Sequence, residues 1–260
     1  MTQKSTLGII VVTGGASGIG EACARELARR DASVIIADID PRGREVAESI
    51  GGHFYPIDVT QDKEVAETAA TIEGKIGPVR HLINCAGVIQ QPLNPHALPM
   101  EVWDNIVRVD QRGTYLTSVA FAKYMLERKV GTITNIASIT AHRSVPLHAY
   151  APAKAAVVAI TECLAAEWGP HGIRVNAISP GHTITPALER AIEAMERDPV
   201  LLRKNALGRM VKPNEIAKAV AFLISDDAAA ITGVNLPVDC GWLVATSWDS
   251  YGGLRQVSSN

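Results

Sequence analysis

Thr13-Gly14-Gly15-Ala16-Ser17-Gly18-Ile19-Gly20 stands between an apolar run, Leu7-Gly8-Ile9-Ile10-Val11-Val12, and a segment of helical composition from Glu21 to Arg30. The run reads as a buried strand and the segment as a helix. A strand that breaks into glycines and resumes as a helix has the form of a dinucleotide-binding turn. Gly14 permits the tight turn, Gly18 lets the backbone approach a pyrophosphate, and Gly20 lets helix and strand pack closely. The helix start, with Ser17 and Ile19 beside these glycines, offers free backbone N–H groups and a partial positive charge to phosphates. An ordinary glycine-rich loop could carry the same residues. The spacing is Gly-x-x-x-Gly-x-Gly, not the commoner Gly-x-Gly-x-x-Gly, so the rest of the chain must decide.

Six more strand-like runs follow, at 33–38, 53–58, 81–86, 131–136, 174–179 and 236–238, the last with a proline that suits a sheet edge. Between them lie 41–49, 62–74, 101–128, 150–168 and 214–225, rich in Ala, Glu, Lys and Leu at helical spacing. Alternating β and α units with near-continuous apolar strands predict an α/β class, doubly wound, with a parallel sheet covered by helices on both faces. No linker, repeat or low-complexity stretch divides residues 1–260, so a single domain is expected. Its core would span 7–242, with the charged stretch 182–209 as a flap over a site and 243–260 as a tail.

A net charge of −2 gives no reason to expect nucleic acid or an anionic membrane surface as partner. No apolar run approaches the ~20 residues that span a bilayer, and no secretory signal is visible at the N-terminus. Cys23, Cys85, Cys163 and Cys240 are scattered, which argues against a disulfide framework and a zinc site. They read as small buried thiols of a cytoplasmic protein without a metal.

Asp38 closes the second strand about 20 residues after the glycines, where a carboxylate hydrogen-bonds the adenosine ribose of NAD. It would repel the extra phosphate of NADP, and no Arg or Lys sits in the glycine loop to attract one. A turn or helix cap at Asp38-Ile39-Asp40-Pro41 is the plainer alternative. Asp58 and Val59 follow the third strand, at the expected adenine edge. Asn84-Cys85-Ala86-Gly87, at the end of the fourth, puts small residues where the backbone could line a cofactor cleft. Tyr150 and Lys154, four apart, share one helix face. An ammonium beside a phenol of pKa ~10 stabilises the phenolate and makes it a better base. Ser138, twelve residues before the tyrosine, could hydrogen-bond a substrate oxygen.

These pieces, in this order, resemble the short-chain dehydrogenase/reductase family. The matches are Thr13-Gly14-x-x-x-Gly18-x-Gly20, Asn84-x-Ala86-Gly87, Ser138, Tyr150-x-x-x-Lys154, Asn176, Pro180-Gly181 with Thr185, and Val238-Asp239-x-Gly241, together covering about residues 7–242. The resemblance implies a seven-stranded parallel Rossmann sheet and hydride transfer between a nicotinamide dinucleotide and an alcohol/carbonyl pair. It assigns acid/base chemistry to Tyr150, ribose binding and pKa control to Lys154, and substrate orientation to Ser138. Thr183 and Thr185 would lie near the carboxamide and phosphates. It also implies a homotetramer or homodimer, and the small apolar residues around the 150–168 helix suit that.

Two features depart from the family pattern. Its fourth catalytic residue is an Asn in a Val-Asn-x-x-Gly context, and here Val109-Asp110-Gln111-Arg112-Gly113 places Asp110 there. The tail crowds Trp242, Trp248 and Tyr251 into ten residues, for local packing or for lining a site. The expected function is NAD-dependent oxidation of a polar secondary alcohol such as a sugar or polyol, with His142, Arg143, His148 and His182 either a polar lining or simply solvated. An NADPH-dependent ketone or 3-oxoacyl reductase is the first alternative. A non-catalytic nucleotide-binding relative is the second.

Overall fold

The computed structural model describes residues 7–255. Seven strands, β1 (Ile9–Thr13), β2 (Ser33–Asp38), β3 (His53–Pro56), β4 (Val79–Asn84), β5 (Gly131–Ile136), β6 (Ile173–Pro180) and β7 (Asn235–Val238), form one sheet. All neighbours are parallel, in the order β3-β2-β1-β4-β5-β6-β7. The helices are α1 (Gly18–Ala28), α2 (Gly43–Ser49), α3 (Asp62–Lys75), α4 (Met100–Ile106), α5 (Thr114–Arg128), α6 (Tyr150–Trp168), α7 (Pro186–Glu193), α8 (Pro199–Leu202), α9 (Pro213–Ile224) and α10 (Trp242–Ala245).

Alternation along each strand sends side chains to two separate cores. Ile10, Val12, Val34 and Ile36 pack with Cys23, Ala24 and Leu27 of α1 and Ile216, Ala217 and Val220 of α9. Val11, Ile35 and Leu82 pack on the other face with Ala69 and Ile72 of α3, Phe121 and Met125 of α5, and Leu164 and Trp168 of α6. Because both faces are covered, β1 and β2 are almost continuous apolar runs, whereas β5 and β6 also bury Thr134, Asn135 and Asn176. Pro237 lies on the edge strand β7, where a missing N–H breaks no ladder.

The single helix expected over 101–128 is real in extent but not in regularity. Between α4 and α5 the chain winds as a wide π turn over Val107–Gly113, with Asp110 inside it. The thiols are free but not uniformly buried: Cys23 is in the core, whereas Cys163 is exposed on the outer face of α6. No helix among the described residues is long and apolar enough to cross a membrane.

Candidate active site

In this strand order β1 and β4 flank the point where the connections diverge, and a ligand cleft belongs beyond their C-terminal ends. A cleft of about 1140 Å³ lies there, walled by the segments that follow β1 to β6. It exceeds the ~300–1,000 Å³ usual for one small ligand, leaving room for a dinucleotide and a substrate together. Gly14, Ser17, Gly18, Ile19, Gly20, Asp38, Asp58, Val59, Ala86, Gly87, Asp110, Ser138, Tyr150, Lys154, Thr183 and Thr185 all line it.

The glycine turn is built for close approach. Gly14 has φ +67°, and a Cβ there would sit 2.6 Å from the Ala86 nitrogen. One at Gly20 would overlap the Gly14 carbonyl oxygen. Thr13 fastens the turn to the next loop, its Oγ1 accepting the N–H groups of Cys85 at 3.1 Å and Ala86 at 3.3 Å. Thr185 reaches over the turn, close to Gly18, while its hydroxyl caps α7 by accepting Leu188 N–H at 3.3 Å. The Thr183 hydroxyl donates to the Gly181 carbonyl at 2.9 Å. The first N–H groups of α1 have no helical carbonyl before them to pair with. A dinucleotide pyrophosphate fits this glycine cradle.

At the end of β2, Asp38 Oδ2 accepts Ala16 N–H and its Oδ1 accepts Asp40 N–H, both at 2.9 Å. The neighbouring cation, Arg42, is held against Asp40, Nε to Oδ2 at 2.9 Å. Asp58 Oδ1 accepts Thr60 N–H at 2.9 Å. Burial works against the Asp58 carboxylate, but its hydrogen bonds and the charge of Arg108 hold its pKa below the ordinary value.

The reactive groups meet at the middle of the cleft. Tyr150 opens α6, and Lys154, one turn on, places Nζ 5.5 Å from the tyrosine ring centroid. Lys154 Nζ donates to the Ile136 carbonyl at 3.0 Å and pairs with Asp110 Oδ2 at 3.1 Å. Asp110 is 0% exposed; its Oδ1 accepts Val88 N–H at 2.8 Å, whereas Oδ2 has the ion pair and no aligned hydrogen bond. Burial would lower the Lys154 pKa, yet Asp110 and Tyr150 outweigh it and the ammonium is held above its ordinary value. Burial raises the Tyr150 phenol; Lys154 opposes this, Asp110 adds to it, and Ser138 is close enough to favour the phenolate. Ser138 itself ends the β5 segment and accepts Thr140 N–H at 3.2 Å.

Two expectations need correction. Asn84 does not line the cleft: its Nδ2 donates to Asn135 Oδ1 and Ser118 Oγ at 2.8 Å, and its Oδ1 accepts from Thr117 at 2.7 Å. Its side chain is spent joining β4 to β5 and α5. Likewise His142, Arg143 and His148 line an adjoining hollow of about 410 Å³, which shares Thr140, Val145 and Leu147 with the cleft, and leave only His182 in the cleft wall. Burial holds the His182 imidazole below its ordinary pKa, against the pull of the Leu202 carbonyl 3.2 Å away. The tail divides: Trp242 joins the wall, edge-on to His182 at 5.9 Å, whereas Tyr251 is 86% exposed.

Sequence reasoning missed Arg108, Val88 and Ile89 in the wall and the flap residues Glu196, Arg197 and Asp198. It also missed Gln90, whose Oε1 accepts the N–H groups of Ala149 and Tyr150. None lies in a local pattern that would mark it.

Residues 14–243 match the sequence model of a family described as Enoyl-(Acyl carrier protein) reductase. D-threitol dehydrogenase of Mycolicibacterium smegmatis is 36% identical over 244 residues, 91% of this chain and 93% of that one. A crystal structure described as ribose-5-phosphate isomerase from Brucella melitensis 16M has 51% identity and a TM-score of 0.94, covering 96% of this chain and 97% of its own. The 3-ketoacyl-(acyl-carrier-protein) reductase from Brucella melitensis, complexed with NADH, has 34% identity and a TM-score of 0.84, covering 91% and 98%. Sheet, glycine cradle and cleft define a Rossmann-fold oxidoreductase that takes a nicotinamide dinucleotide and a small-molecule substrate. The chain belongs to the short-chain dehydrogenase/reductase family, enzymes of the CH–OH group.

Proposed function

We propose that the protein is an NAD-dependent dehydrogenase of a polyol or sugar alcohol. The observation that carries the reading is the assembly of Ser138, Tyr150 and Lys154 in one cleft with Asp38 at its far end. The Tyr150 phenolate takes the alcohol proton while Ser138 holds the alcohol oxygen. Lys154 keeps a positive charge beside the phenolate and, with one ammonium proton still free, reaches for the nicotinamide ribose. The bound dinucleotide supplies the hydride acceptor. Asp110 fixes Lys154. Gly14, Ser17, Gly18, Ile19 and Gly20 hold the pyrophosphate by backbone, with Thr185 above them. Asp38 takes the adenosine ribose hydroxyls, and Asp58 and Val59 border the adenine. Ala86 and Gly87 border the nicotinamide half, and Thr183 its carboxamide.

Two findings favour a polar substrate. The flap brings Glu196, Arg197 and Asp198 to the outer cleft wall, and the threitol enzyme is among the relatives. Reduction of a 3-oxoacyl group with NADPH is the second reading, favoured by the ketoacyl reductase likeness and opposed by the carboxylate of Asp38. Sugar isomerisation moves hydrogen within one substrate and would leave the glycine cradle without a use. One assay separates them: tetritols, pentitols and hexitols with NAD or NADP, 3-oxoacyl thioesters with NADH or NADPH, and ribose 5-phosphate alone. Polyol oxidation with NAD is expected to dominate. Preference for a 3-oxoacyl thioester, or isomerisation without dinucleotide, overturns the reading. In the same assay Asp38→Ser should narrow the preference for NAD at least about tenfold, or ~1.4 kcal/mol, because it removes both ribose bonds and charge repulsion. Equal use of both cofactors by the wild type would refute Asp38 as the discriminator.

Four free cysteines suit a reducing compartment, here the cytoplasm. Exposed Pro152, Ala155, Ala159, Cys163 and Ala166 make a small-residue stripe down α6. Together with the family resemblance it supports a homotetramer or homodimer packed along this helix; a monomer by light scattering at micromolar concentration would disprove it.

A further inference from the structure

Gln90 lies on the loop after β4, three residues beyond Gly87, and is only 3% exposed. Its Oε1 accepts the N–H of Ala149 at 2.6 Å and of Tyr150 at 3.1 Å, while its Nε2 donates to the Gln91 carbonyl at 3.4 Å. The first N–H groups of a helix need partners from outside it, and the flanking Ala149 has no side chain to cap α6. The remaining groups of the turn are settled without help. Ala151 N–H reaches the Leu147 carbonyl at 2.9 Å, Pro152 has no N–H, and Ala153 N–H reaches Ala149 at 3.1 Å. Gln90 therefore supplies the acceptor for the two N–H groups at and beside the reacting tyrosine. Its neighbour Gln91 donates to Glu196 of the flap at 2.8 Å, so the loop that holds α6 is itself tethered.

We infer that Gln90 is a positioning residue: its amide oxygen seats the first turn of α6 against the loop after β4 and so sets where the Tyr150 phenol stands in the cleft. The inference rests on the reading of Tyr150 as the proton carrier. Lys154 on α6, Asp110 in the π turn, Ser138 after β5 and Cys85 after β4 already act on that phenol. The amide is neutral, so it holds the backbone without adding a further charge. A carboxylate would keep the acceptor and the favourable place at a helix start, but it would bring negative charge towards the phenol and raise its pKa.

The test compares Gln90→Leu and Gln90→Glu with wild type in kcat, KM, the pH profile of kcat, and NADH affinity by fluorescence. Gln90→Leu should lose roughly 10–100-fold in kcat through misplacement of the phenol, with NADH affinity little changed. Gln90→Glu should recover most of that kcat with its profile displaced to alkaline pH. A Leu variant with wild-type kcat and profile overturns the inference. If the Leu variant fails to fold, the Glu variant decides: an alkaline shift supports the inference and an unchanged profile overturns it. The Tyr150→Phe enzyme is assayed in parallel. If it keeps its turnover, the reading of Tyr150 has failed; if it is dead while Gln90→Leu is fully active, only the Gln90 inference has.

Discussion

Tyr150→Phe is expected to lower turnover by ~10²–10⁴-fold or more, the range for losing a general acid/base, while NADH still binds. The ring stays packed with Leu98, Trp103, Ile106 and Ala153, so stability should hardly change. The phenolic oxygen alone is removed, the group that both Lys154 and Ser138 act on. Steady-state kinetics and a fluorescence titration of NADH check the two halves separately. Retention of more than a tenth of the activity would sink the assignment. The same tyrosine fixes the sign of the pH dependence. Its pKa is raised by burial against the opposing pull of Lys154, and the base is the phenolate, so oxidation should accelerate toward alkaline pH.

Asp110→Leu should cost about 3–5 kcal/mol of stability, because it leaves the Lys154 ammonium buried without its counter-charge. At the lower figure this is a fall in Tm on the order of 6–12 °C, and most activity should go with it. Asp110→Asn should behave differently. Its amide oxygen can still accept Val88 N–H, as Oδ1 does at 2.8 Å. Removing the charge takes away one influence that raises the Tyr150 pKa, so the activity profile should move toward acid while turnover persists. Thermal unfolding together with pH–rate profiles tests the pair. Leu tolerated as well as Asn would mean that Asp110 has no part in holding Lys154.

The strands were legible because most are runs rich in Val, Ile and Leu bounded by Gly, Pro or Asp, and a sheet buried on both faces favours that composition. The cradle was legible because only glycine allows the contact of Gly14 with Ala86. Asn84 was misplaced because a motif places a residue at a strand end and not the direction of its side chain. The side chain turned inward to hydrogen-bond Asn135 and Ser118. His142, Arg143 and His148 lie near Ser138 in sequence, but the chain around Ile139–Ala141 carries them into the neighbouring hollow. Gln90 could not be read at all. Its partners are 59 and 60 residues away, and the Gln90-Gln91 pair after Ile89 has no periodicity to reveal it.

The wide turn at Val107–Gly113 also restricts how the chain can change length. A regular helix advances about 100° per residue, whereas a π turn stores extra residues without breaking the rod. Deleting one residue there would close the turn to a regular helix and leave α4 and α5 nearly in phase, so Trp103 and Ile106 would keep their places beside Tyr150. Asp110, inside the turn, would lose its bearing on Lys154 and Val88. Relatives that keep this ion pair should therefore show no single-residue gap between Met100 and Thr114, even where the exposed residues of the same helix vary freely.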